Sequence, residues 1–86
     1  MILIKQCIYI LNKIDIYLSN KYLYFKSEYR DFTKVVKYTQ VEELIYKKDN
    51  KLVIVFKNKI NNRPLIINFK KFNDLLVFKS FISNKE

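Results

Sequence analysis

From Ile4 to Lys70 the apolar residues recur mostly at every second position, and after Lys70 the period becomes that of a helix. This switch is the strongest constraint on the fold, because a period of two turns alternate side chains to opposite faces of a strand. Ile14, Ile16 and Leu18 alternate with Asp15 and Tyr17. Leu23 and Phe25 alternate with Tyr22, Tyr24 and Lys26, and Leu65, Ile67 and Phe69 alternate with Asn68 and Lys70. Ile4 to Leu11 is a mixed apolar run that predicts Ile4, Ile8 and Ile10 on one face. Lys34 to Tyr38 reads as a strand with Val36 between lysines. Val41, Leu44 and Ile45 follow at irregular spacing, which predicts a bulge or a bend. Leu52 to Phe56 is apolar on both faces and reads as a central strand.

The turns between these strands must be made without glycine, which the chain lacks entirely, and Pro64 is its one proline. Asn and Asp tolerate positive φ better than other residues, so they are expected at the tight turns. Asn12-Lys13, Ser19-Asn20-Lys21 and Lys48-Asp49-Asn50-Lys51 are the predicted reversals. Ser27 to Thr33 is the longest polar connection of the first half, and Asn58 to Arg63 is polar as well. Lack of glycine also excludes the Gly-rich phosphate loops of nucleotide-binding proteins.

Beyond Lys70, Leu75, Val77, Phe78, Phe81 and Ile82 make one broad helical face over residues from about 72 to 83. Asn73 is the predicted N-cap, and Phe72 and Val77 would then pair as a hydrophobic staple. Leu76 is left off the apolar stripe. Strands followed by one amphipathic helix define an α+β class. The expected architecture is a bent antiparallel sheet of about six or seven strands, curled toward a barrel because strands twist, with the helix plugging one end. Residues 1–86 form a single domain, with Leu18, Leu23, Phe25, Ile54, Ile67 and Phe78 in its core.

The residues of catalysis are sparse. Histidine is absent, so Cys7 has no imidazole beside it, and burial within an apolar strand makes a thiol inert. Glu42 and Glu43 are strand neighbours, expected on opposite faces at a solvated edge. The chain is therefore expected to be non-enzymatic, with no cofactor and no metal site. Met1-Ile2-Leu3-Ile4 is interrupted by Lys5 and Gln6, so it reads as neither signal peptide nor membrane span. The formal charge is +9, and all but two of the 17 basic residues are Lys. Two readings of that charge stand: an anionic partner, or the Lys, Asn, Ile, Tyr and Phe usage of an A/T-rich genome.

The stretch Ile16-Tyr17-Leu18-Ser19-Asn20-Lys21-Tyr22-Leu23-Tyr24-Phe25-Lys26-Ser27-Glu28-Tyr29-Arg30-Asp31 resembles the GRAM signature, a strand ending in Thr-Asn, two variable residues, then Leu-Tyr-Phe. It is similar to the PH-GRAM domain of myotubularins, in which Leu-Tyr-Phe-Lys-Ser and a nearby Arg-Asp recur. Val36 to Ile45 and Leu52 to Lys57 resemble later strands of that family, so the similarity spans roughly residues 8–83. Ser19 stands for the usual Thr, and Lys13-Ile14-Asp15 stands where the family has Gly. The Cys-x5-Arg phosphatase loop of active myotubularins is absent, so the resemblance concerns the binding domain alone.

The resemblance implies a PH-like fold, a seven-stranded bent sheet with a C-terminal helix, that binds phosphoinositides or proteins. Lipid contact would be made by loops at the open end of the sheet. Carried over by position, the candidates are Lys13, Lys26, Arg30 and Lys34, while Lys57 and Lys59 stand outside that set. The expected location is cytoplasmic and peripheral on membranes. Two other partners remain open. Leu76, with Phe72 should it fail to fold back, would form an interaction patch for a protein partner or a weak homodimer. Tyr22, Tyr24, Lys26 and Lys37 on a sheet face could stack on nucleic acid.

Overall fold

The computed structural model describes residues 2–27 and 31–84. Seven strands precede one helix: β1 Ile2–Tyr9, β2 Asn12–Leu18, β3 Tyr22–Ser27, β4 Thr33–Lys37, β5 Val41–Lys47, β6 Lys51–Phe56, β7 Leu65–Asn68 and α1 Phe72–Ser83. They form one antiparallel sheet in the order β4-β3-β2-β1-β7-β6-β5. The class is α+β, with the arrangement of a PH-like fold. The sheet bends but does not close: its edges β4 and β5 do not pair with each other among the described residues.

The bend has its origin in β1, which joins the two halves of the sheet by pairing with β2 on one side and β7 on the other. Ile4 faces Ile16 and Cys7 faces Ile14, so β1 spends three residues where β2 spends two. This β-bulge is made by Gln6, whose φ is +60°. The Gln6 N–H donates to the Asp15 carboxylate at 3.1 Å. The bulge shifts the alternation by one residue, which corrects the expectation that Ile4, Ile8 and Ile10 share a face. Ile4 and Cys7 point to the core instead, Ile8 is half-buried and Ile10 is exposed. Asp15, read as an outward polar residue, is buried against the bulge.

Past the bulge, β1 and β2 remain paired to Tyr9 and Asn12, so the reversal falls on Ile10 and Leu11, not on Asn12-Lys13. Both residues have positive φ, 48° and 62°. The β5–β6 reversal uses Asp49 and Asn50 at φ 64° and 59°, as their tolerance for this region predicts. The β2–β3 turn is held by Ser19, whose hydroxyl both donates to the Tyr22 carbonyl and accepts from the Tyr22 N–H. The irregular spacing after Tyr38 is a 3₁₀ turn at Tyr38–Gln40 followed by a register shift between Val41 and Glu43. Glu42 and Glu43 sit at that shift and are both exposed on the edge strand β5, the solvated edge expected for them.

The predicted core residues Leu18, Leu23, Phe25, Ile54, Ile67 and Phe78 are all buried, together with Ile14, Ile16, Leu52 and Phe69. Helix α1 seals this core by inserting Leu75 and Phe78, the latter tilted against Phe69 with ring centroids 5.7 Å apart. Its N-cap is Lys71, without a side-chain cap, so Asn73 lies inside the first turn. The hydrophobic staple is not made: Phe72 is the first helical residue and is 61% exposed.

Asp15→Ala leaves the Gln6 amide without its acceptor and is expected to lower the unfolding free energy by about 1–3 kcal/mol in denaturant titrations. Asp15→Asn keeps an acceptor oxygen and should cost less. Equal stability of parent and Asp15→Ala would show that the bulge is held by something other than this bond.

Candidate functional site

Antiparallel pairing sorts the connections into two ends. Asn68 faces Ile8, so the chain entering β7 lies beside the chain leaving β1. Ile14 faces Ser27, so the β3–β4 connection lies at that same end, where Phe32 packs on Tyr9 with centroids 6.1 Å apart. The β1–β2 tip and the β3–β4 connection therefore lie at one end of the sheet, and the antiparallel order turns the β6–β7 loop over residues 57–64 toward it, with the loop's first residue bonded to the turn before β5: the Lys57 N–H donates to the Gln40 carbonyl at 3.0 Å. Helix α1 closes the opposite end, beside the β2–β3 and β5–β6 turns, where Lys79 sits 5.1 Å over the Tyr46 ring.

Among the described residues, the sequence-predicted basic residues divide between the two faces of the sheet. Lys13 and Lys26 share the outer face near the loop end, because Lys26 faces Asp15, two residues along β2 from Lys13. Lys34 faces the buried Phe25, so it belongs to the inner face, where it is half-buried at the rim. Arg30 lies outside the described residues. Lys57, Lys59 and Arg63, by contrast, are exposed on the 57–64 loop at the same end as Lys13. Lys59 is paired with Glu42 at 3.1 Å, both side chains remaining largely exposed. The pair is screened by water and leaves Lys59 free to change partners at little cost.

Alternation alone could not find the other feature of this end. Leu11 is 96% exposed, Ile60 95% and Ile10 70%, the highest values among the exposed large apolar residues. All three sit on loops of this end. A signal was present: an apolar run through Ile10 and Leu11 that stops at Asn12 is one residue pair too long for a strand turning at Asn12.

Three further places carry chemistry. Between the β2–β3 turn, β5 and α1, a cavity of about 660 Å³ is lined by Asn20, Tyr38, Glu43, Tyr46, Lys79 and Ile82. Beside α1, Ile2, Leu76, Val77 and Phe81 border a shallower hollow of about 340 Å³, with Leu76 43% exposed. On the outer sheet face, Tyr24 is packed edge-on against Tyr17 at 5.7 Å, which commits much of that ring to its neighbour. Cys7 is fully buried. Burial pushes its thiol up from 9.0 to about 12, and the carboxylates of Asp74 and Asp15 act in the same direction. The Tyr38 hydroxyl, which donates to the Ser19 carbonyl at 2.7 Å, is likewise pushed up to about 12 by burial.

No helix among the described residues is long and apolar enough to cross a membrane. No protein-family model matches the chain, and no curated protein is similar to it.

The folded pKa of Cys7 lies above its unfolded value. Its protonated form therefore contributes stability fully below pH 9.0, and the contribution is lost as pH rises from there through about 12. The denaturant midpoint of the parent should fall over this window, and more steeply than that of Cys7→Ala. Lysine deprotonation is common to both proteins and cancels in the comparison. Parallel slopes would show that the thiol ionises as readily folded as unfolded.

Proposed function

We propose that this chain is a non-catalytic PH/GRAM-like binding module that docks on anionic, phosphoinositide-containing membrane through the end opposite α1. One observation carries the reading: Lys13, Lys57, Lys59 and Arg63 are exposed on the β1–β2 and β6–β7 segments, which the antiparallel order turns toward the same end of the sheet. Lys26 adds to this end from the outer face. Each Lys or Arg close to an anionic leaflet contributes about 1 kcal/mol, so a set of this size gives salt-sensitive recruitment. Lys34, half-buried on the inner rim, has a smaller part than its place in the sequence suggests.

Basic residues are not confined to this end: Lys47 and Lys48 lie at the opposite one. They provide the control for the test. Co-sedimentation with phosphoinositide-containing vesicles at physiological salt should fall more than tenfold on joint reversal of Lys13 and Lys57 to Glu. Reversal of Lys47 and Lys48 makes the same change in net charge and should alter binding less than threefold. Equal losses would mean attraction by net charge alone. Binding of the parent to oligonucleotide but not to vesicles would replace the membrane reading with the nucleic-acid one.

A second reading, self-association through α1, is supported by the exposure of Phe72 and Leu76 beside the hollow that Ile2, Val77 and Phe81 border. A second copy would cover this apolar strip. Sedimentation equilibrium should then show dimer at high concentration, shifted to monomer by Leu76→Glu without loss of stability. A parent monomeric at millimolar concentration leaves Leu76 a solvated surface residue.

A further inference from the structure

The β1–β2 tip is costly to keep. A two-residue hairpin with positive φ at both positions favours Asn, Asp or Gly. This chain uses Asp49-Asn50 for consecutive positive φ in its three-residue β5–β6 turn, yet it places Ile10 and Leu11 here. A β-branched residue at positive φ is unfavourable, and Asn12, which tolerates the region, stands immediately after. The tip is thus disfavoured twice, by backbone conformation and by the exposure of two large apolar side chains. Ile60 repeats the exposure on the neighbouring loop, at 95%.

We infer that Ile10, Leu11 and Ile60 enter the boundary between headgroups and acyl chains, so that the loop end is a wedge inserted into a bilayer and not merely attracted to its surface. This rests on the membrane reading above and names the part of the membrane that the site takes. Separate apolar tips on two loops suit a bilayer better than a pocket in a protein, because a planar apolar medium accepts side chains that do not form a contiguous patch. Lys13 stands two residues after Leu11, and Lys59 and Arg63 flank Ile60 on its loop; apolar residues with basic neighbours are the pattern of interfacial binding. Free phosphate or nucleic acid would engage the basic residues and leave the tips in water.

The chain has no Trp, so one introduced residue reports alone. Leu11→Trp and Ile60→Trp are each mixed with phosphatidylcholine–phosphatidylserine vesicles whose acyl chains are brominated near the headgroup. Both should shift to the blue and be quenched on binding, while Tyr22→Trp, at the helix end, should stay unquenched. Leu11→Ser should weaken partitioning about tenfold, the loss expected for one leucine moved out of an apolar medium, and should do so at high salt as well as low. Circular dichroism matching the parent establishes that each variant is folded, and Ile60→Trp and Ile60→Ser keep the test open should residue 11 prove intolerant. Vesicle binding without quenching, or with partitioning unchanged in Leu11→Ser and Ile60→Ser, overturns insertion and leaves electrostatic docking intact. Absence of vesicle binding by the parent overturns both.

Discussion

The hydrogen bond from the Gln6 amide to the Asp15 carboxylate is the point on which this sheet turns. β1 is the one strand that pairs into both halves, so its direction sets the angle between them. A straight β1 would carry the alternation of Ile4 on to Gln6 and Ile8, leaving Cys7 outside. The bulge shifts the pattern so that Ile4 and Cys7 both face the core, and it adds the local twist that lets the halves wrap around Phe25 and Phe78. The cost is a non-glycine residue at positive φ and an amide withdrawn from the ladder. Asp15 meets the second by accepting from that amide. A carboxylate on a face read as solvated is therefore structural, and its burial is a consequence of the bulge it supports.

From the bend follows the division into two ends. Because the sheet does not close, one end needs a cover, and α1 supplies it with Leu75 and Phe78. The other end is finished by loops whose core contacts are made by Tyr9 and Phe32. The helix takes over one end entirely, and the outer faces of the strands carry tyrosines engaged with one another. Among the described residues, what remains for a partner is the loop end, the hollow beside α1 and the cavity between the β2–β3 turn, β5 and α1.

Much of this was legible in the sequence, and the exceptions share a cause. The class, the helix limits and the named core follow from periodicity, which records burial directly and needs no knowledge of register. The turn at Asp49-Asn50 follows from side chains suited to positive φ, and the turn at Ser19-Asn20-Lys21 from a serine hydroxyl that bonds the Tyr22 backbone. The failure lies where one residue changes register without a mark in the spacing, at Gln6 in β1; the shift in β5 was marked by the irregular spacing of Val41, Leu44 and Ile45. A bulge leaves little mark on composition when glycine is absent, since Gln6 does not announce a left-handed conformation. The missed turn at Ile10-Leu11 has the same source, because turn propensity pointed to Asn12 and strand pairing overrode it. The basic candidates were chosen by position along the chain. Their faces depend on pairing, which puts Lys34 opposite Phe25, and the neighbours that matter at the loop end come from 57–64, distant in sequence from Lys13.

Charge and apolar surface play unequal parts in orienting such a molecule. Lysines cover both ends, so a net charge of +9 draws the chain toward any anionic surface without choosing a face. The principal extents are 29 × 27 × 26 Å, whereas the screening length at physiological salt is about 8 Å. Charges at the far end are thus two or more screening lengths from a surface touched by the near end and contribute little to holding it there. Orientation must come from features confined to one end and effective only at contact. Ile10, Leu11 and Ile60 have both properties, being the most exposed large apolar side chains and all on the loop end.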